Sequence, residues 1–143
     1  MNEKALEKMI NGTQAERRFL AEQSFGLFAI YYFSDYFSFS LAPYHYDFIE
    51  DCHNLTDNKI KEVAWIGYRE CAKTTFAKIF IIWLIVNAKR KYINVDSFDK
   101  ENAERILFDV AFELVNNKRL QADFGVVFSK ERGINEIKQK LRL

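Results

Sequence analysis

At 143 residues the chain has the length of one domain or less, and about half of it is apolar, with fourteen Phe and seven Tyr. That composition excludes a disordered chain and allows a sizeable core. A net charge of +1 with mixed signs gives no overall basic character, so any nucleic-acid contact has to come from a local patch.

Residues 3–10 read as a short charged helix, stopped by Asn11-Gly12. Thr13 with Glu16 fits a capping box and opens a second helix, which runs through Phe19, Leu20, Phe25, Leu27 and Phe28 toward Tyr32. The stretch Phe25–Phe39 is crowded with aromatics and has to be covered, by a sheet within a monomer or by a partner. Pro43, the only proline, marks a boundary before a helix from Tyr44 to Leu55, and Thr56-Asp57-Asn58-Lys59 is a turn. Ile60–Ile66 reads as a strand. Thr75 to Asn87 is a helix, apolar nearly all round at its C-terminal end, as expected for one pressed between a sheet and other elements. After the basic turn Lys89-Arg90-Lys91, Tyr92–Val95 reads as a second strand with Asp96-Ser97 at its end. Asp99 to Asn116 reads as a helix with Ala103, Ile106, Leu107, Val110, Ala111 and Leu114 on one face. Ala122–Phe128 is a loop entering another short strand, and the tail from Ser129 is polar. The order strand, helix, strand, helix predicts an α/β domain with a parallel sheet and right-handed crossovers.

The most informative stretch lies between the first strand and its helix: Gly67-Tyr68-Arg69-Glu70-Cys71-Ala72-Lys73-Thr74-Thr75. A Lys-Thr pair at the mouth of such a helix is the core of a phosphate-binding P-loop, whose backbone N–H groups and helix N-terminus attract anions. Lys73 would pair with the β- and γ-phosphates, and Thr74 would hold Mg²⁺. The usual spacing is G-x-x-x-x-G-K-[ST], and Ala72 stands where the second Gly is expected. Ala fits there if its φ stays negative. The competing interpretation is a solvated loop with Lys73 and Arg69 merely exposed.

Cys52 and Cys71 give no disulfide framework, and with His45 and His53 as the only histidines a closed Cys/His zinc site is not expected. The N-terminus shows no signal peptide. The longest apolar run, Ile79–Val86, is short of a membrane span and is flanked by Lys78 and Lys89. These features predict a soluble, intracellular chain. The basic pairs Lys89-Arg90-Lys91 and Arg17-Arg18 are candidate phosphate contacts, or ordinary solvated charge.

Taken together, residues 25 to 130 resemble the start of the packaging ATPase in the large terminase subunit of tailed phages. Leu41–Phe48 sits where that family has its adenine-side motif. Ala64–Thr75 looks like its variant Walker A, with Arg four residues ahead of the Lys. Tyr92–Ser97 with Ala103-Glu104 resembles the second strand and its helix, and Asn117–Leu120 with Asp123-Phe124-Gly125 the end of that helix.

The resemblance implies an ATP-driven, Mg²⁺-dependent motor that translocates double-stranded DNA into a procapsid. It implies a portal protein and a small terminase subunit as partners, a homo-oligomeric ring, and a place in the host cytoplasm. Arg69 inherits a role at the γ-phosphate in cis, a task that suits its planar fork. Lys73 would pair with phosphate oxygens, Thr74 would ligate Mg²⁺, and Thr75 would buttress the loop or touch the α-phosphate. His45 falls where a Gln usually reads the adenine edge, which an imidazole can mimic in part. The implied fold is a partial ASCE-type P-loop NTPase sheet with flanking helices, with residues 1–40 as a helical segment and 41–143 as the first half of the ATPase. No apolar strand ending in Asp-Glu follows the loop, so the Walker B carboxylates and the nuclease are missing from the pattern. The alternatives are a helicase-like P-loop motor and a non-enzymatic interaction module.

Overall fold

The structure is a computed structural model, and it describes residues 3–37 and 40–125. The predicted Val126–Phe128 strand and the tail from Ser129 lie outside the described residues. So do Ser38 and Phe39 at the end of the aromatic stretch. The elements in chain order are α1 (Glu3–Asn11), α2 (Gln14–Gln23), α3 (Phe25–Tyr32), a single 3₁₀ turn (Ser34–Tyr36), α4 (Pro43–Thr56), α5 (Lys73–Val86), α6 (Lys100–Asn116) and α7 (Lys118–Phe124).

Local chemistry sets most of these boundaries. Thr13 Oγ1 accepts from the Glu16 N–H at 3.3 Å, and the Glu16 carboxylate accepts from the Thr13 N–H at 2.8 Å, completing the predicted capping box. Those bonds from Thr13 hold the Glu16 carboxyl below the usual carboxylate range. The single helix expected from Thr13 to Tyr32 is two helices. Ser24 is extended, and its hydroxyl accepts from the Leu27 N–H at 3.2 Å, so it closes α2 and caps α3. Pro43 occupies the first turn of α4, where its missing N–H costs nothing. Asp99 caps α6 by accepting from the Asn102 N–H at 2.7 Å. Asn117 does the same for α7 through the Leu120 N–H at 3.1 Å, and turns the expected loop there into a helix.

The predicted parallel sheet is absent: the described residues are helical and contain no strand. Residues 62–68 and 92–97 carry no regular secondary structure. No backbone N–H from 61 to 72 donates to another backbone group among the described residues. The α/β fold class, its crossovers and the ASCE-type sheet are therefore corrected to an all-helical arrangement. The physical reason lies in what an apolar run specifies. It specifies burial or extension, whereas a ladder also needs a neighbour in register. Trp65 gains its burial from α4 instead: its ring lies 4.6 Å from that of Phe48, and its Nε1–H donates to Asp51 at 2.8 Å. Ile66 is 95% exposed and Tyr92 90% exposed.

The core is built around α3, which is apolar on every side and so has to be enclosed. Phe25, Phe28 and Phe33 are fully buried, covered by helices and not by a sheet or a partner. Phe25 meets Phe80 edge-on and Trp83 at a tilt, both at 5.5 Å in α5, and lies edge-on to Phe76 at 6.3 Å. Trp83 satisfies its indole N–H on the Ala21 carbonyl of α2 at 2.7 Å.

A buried polar clamp joins the early and late helices. Asp123 of α7 is 2% exposed. Arg17 of α2 grips it through Nε and Nη2, both at 2.7 Å, and the Tyr32 hydroxyl of α3 donates to it at 2.8 Å. Gln14 adds bonds to the Ala122 and Asp123 carbonyls at 2.8 and 3.0 Å. Burial first, and then the Asp123 carboxylate, push the Tyr32 phenol far above its ordinary value.

Candidate functional site

The loop from Gly67 to Ala72 leads directly into α5, whose first residue is Lys73. Two non-glycine residues in it have left-handed backbone, Glu70 at φ +71° and Ala72 at φ +60°, ψ +13°. The expectation of a negative φ at Ala72 is thus corrected. The position needs the conformation that Gly supplies freely, and Ala adopts it at a cost of about 1–2 kcal/mol. The structure over-determines this strain through Lys73. Its ammonium folds back into the loop and donates to the Gly67 carbonyl at 2.9 Å, the Tyr68 carbonyl at 2.8 Å and Cys71 Sγ at 3.0 Å. A Cβ at Gly67 would crowd this closure, meeting Cys71 Sγ at 3.0 Å, though it would only touch Lys73 Nζ at 3.5 Å. The ammonium also holds the Cys71 thiol below its usual range.

The motif upstream of the loop lies beside it. The Tyr44 hydroxyl, in the first turn of α4, shares a hydrogen bond with the Tyr68 hydroxyl at 2.7 Å. That bond is the first cause of the Tyr44 phenol being pushed up to about 12. The His45 ring stacks on Phe76 of α5, with centroids 5.3 Å apart and planes 17° from parallel. Its Nδ1 accepts from the Ala42 N–H at 2.9 Å, which assigns the proton of the neutral ring to Nε2. Nε2 is buried and has no hydrogen-bond partner among the described residues. His45 is therefore both a packing residue and the holder of an unused donor next to the loop.

Arg69 and Glu70 are exposed, and the Arg69 guanidinium makes no hydrogen bond or ion pair among the described residues. Thr74 is exposed in the first turn of α5, next to a shallow apolar groove formed by Trp65, Ala77, Phe80, Ile81 and Ile106. Thr75 points the other way, into a cavity of about 170 Å³ shared with Tyr36, Lys78, Asp109 and Glu113. The loop thus gathers Gly67, Tyr68, Cys71 and Lys73 around one point and leaves Arg69 and Thr74 facing solvent, while Thr75 belongs to a different surface. Among the described residues no group of three or more His, Cys, Asp or Glu side chains is placed to hold a metal ion. For Mg²⁺, Thr74 offers one hydroxyl, and the remaining ligands would be phosphate oxygens and water, as is common for this ion.

Four of the five basic residues read as candidate phosphate contacts have partners inside the protein, and Lys91 is exposed. Arg17 is committed to Asp123. Arg18 lies over the Phe124 ring at 5.5 Å, and Lys89 over Trp83 at 4.8 Å. Arg90 caps the C-terminus of α4 through the Leu55 and Thr56 carbonyls, both at 3.1 Å. Asp51, which anchors Trp65 below the loop, escaped the sequence reading. Its signal was its position three residues after Phe48, on the α4 face that meets Trp65. Both cysteines are free thiols. No described helix is long and apolar enough to cross a membrane.

Comparison of the chain with family models, with curated proteins and with solved structures returns no match.

Proposed function

We propose that the loop Gly67–Ala72 and the first turn of α5 bind the phosphates of ATP together with Mg²⁺. The observation that carries this reading is the loop closed around the Lys73 ammonium at the head of a helix, with backbone strain at Glu70 and Ala72. A cation, the free N–H groups of a helix start and a strained backbone concentrated at one point are what a phosphate tail requires. Lys73 would turn from carbonyl oxygens to phosphate oxygens, and Arg69, free in solvent, would swing onto the γ-phosphate. Thr74 would hold the metal. His45 Nε2–H, Tyr44 and Tyr68 lie where a base attached to those phosphates could be met.

The wider function proposed is that of an ATP-binding part of a viral DNA-packaging motor of terminase type. Double-stranded DNA, a portal protein, a small terminase subunit and a ring of like subunits are the partners this entails, and the host cytoplasm its location. It rests on the sequence resemblance; the loop is the part of it that geometry supports. With no Walker B carboxylate pair in the sequence, binding without appreciable turnover is expected of this chain.

A second reading is an interaction module with an unused loop. It is favoured by the exposure of Ile66, Tyr92 and Phe98 in the irregular stretches before and after α5. Thermal melting with and without Mg-ATP separates the two. A working site raises stability by about 2.7 kcal/mol at 100 times its Kd, and Lys73→Ala abolishes the rise. A melting curve that ignores saturating Mg-ATP refutes the nucleotide reading.

A further inference from the structure

A lysine ammonium has three N–H bonds. Each of those on Lys73 already has an acceptor: two carbonyls and the Cys71 sulfur, all within 3.0 Å. An incoming phosphate can take Lys73 only by displacing them. The carbonyls of Gly67 and Tyr68 belong to the backbone, which leaves the sulfur as the one acceptor chosen by a side chain. It is buried, and it is seated against the face of Gly67 where a Cβ would collide with it.

From this arrangement we infer that Cys71 sets the affinity of the loop for phosphates, its sulfur competing with phosphate oxygens for the Lys73 ammonium and holding the loop closed on itself. This role presupposes the phosphate binding proposed above. The lowered thiol range of Cys71 is the other side of the same contact, since the ammonium that the sulfur retains also stabilises its ionised form. Cys52 has no such part: it is fully buried in α4, and burial pushes its thiol well above the ordinary range.

The test is calorimetric titration of the full chain, Cys71→Ala, Cys71→Ser and Lys73→Ala with two probes, Mg-ATP and inorganic tripolyphosphate. The second probe isolates the loop from any contact to a base. Cys71→Ala is expected to bind both probes about tenfold more tightly than the parent, the ratio that follows from losing one charge-assisted competitor. Cys71→Ser should fall between them, and Lys73→Ala should bind neither. Equal or weaker binding by Cys71→Ala, with the parent binding normally, overturns the inference and leaves the phosphate reading intact. Should the Ala variant fail to fold, judged by its melting curve, the Ser variant decides on the same criterion. No binding by any form overturns both.

Discussion

Replacing Arg17 with Ala removes the only cation paired, among the described residues, with a carboxylate that is 2% exposed. Two bonds of 2.7 Å to Asp123 disappear, together with the Nη1 bond to the Gly12 carbonyl at 2.6 Å. The Tyr32 hydroxyl is then the one side-chain donor left to Asp123 among the described residues. Breaking a buried pair on one side costs about 3–5 kcal/mol, because the remaining charge cannot reach water. Against a total stability of about 5–15 kcal/mol for a domain, that is a large fraction. With a urea m-value of about 2 kcal/mol/M, the unfolding midpoint should fall by roughly 2 M. Asp123→Asn should cost less, since Arg17 is partly exposed and can turn to solvent. Replacing both with apolar residues of similar volume should recover most of the loss, because the pair as a whole is close to neutral against a well-packed apolar core. Urea titrations of the two single variants and the double variant form the cycle. A midpoint for Arg17→Ala within about 0.3 M of the parent, or strictly additive singles, would show that the clamp does not carry the load assigned to it.

Two further predictions concern the backbone strain and the pH dependence. Ala72→Gly should relieve about 1–2 kcal/mol of left-handed strain at the expense of about 0.4–1 kcal/mol of chain entropy. A melting point raised by a degree or two is expected, and a lowered one would mean that the Ala72 methyl is worth more than its φ of +60° costs. His53 Nε2 accepts from the Phe25 N–H at the start of α3, and burial pushes its imidazole below its ordinary value near 6.5. The neighbouring charges are Asp57, which opposes that shift, and Lys89 and Lys59, which add to it. The folded state therefore takes up this proton less readily than the unfolded chain. Stability is complete above pH 6.5 and declines as pH falls through the lower folded value. His53→Gln keeps an acceptor for Phe25, and subtracting its stability profile from the parent's should leave a slope confined to the acid side. A flat difference between pH 7 and pH 5 would contradict the assignment.

The helices were legible where a single residue fixes an end. Thr13 with Glu16, Pro43 and Asp99 each announce a start through groups that the chain itself supplies. Ser24 carries the same chemistry, but it sits inside an apolar pattern that continues across it, so periodicity overrode the cap; Asn117 follows the expected helix end at Asn116, and the short polar stretch after it gives little periodic signal for α7. The sheet was misread because Ile60–Ile66 and Tyr92–Val95 have the composition of strands, and composition is silent about pairing. At the loop, the residue types and the helix start at Lys73 were readable. The left-handed backbone at Ala72 was not, since Ala gives no hint of it. Nor could the sequence show that Arg17 and Arg90 spend their charge internally: Asp123 lies far along the chain from Arg17, and the carbonyls that Arg90 caps leave no mark in the residue code.

The irregular segments on either side of α5 also make the chain vulnerable in a specific way. A protease cleft grips substrate as an elongated strand, and residues 62–68 and 92–97, which belong to no helix, can take that shape without a helix being opened. Brief trypsin digestion should therefore nick after Lys61, Arg69 and Lys91 well before it opens any helix. A nucleotide that drew Arg69 inward would silence the middle cut and spare the outer two, so a gel lane could report occupancy of the loop.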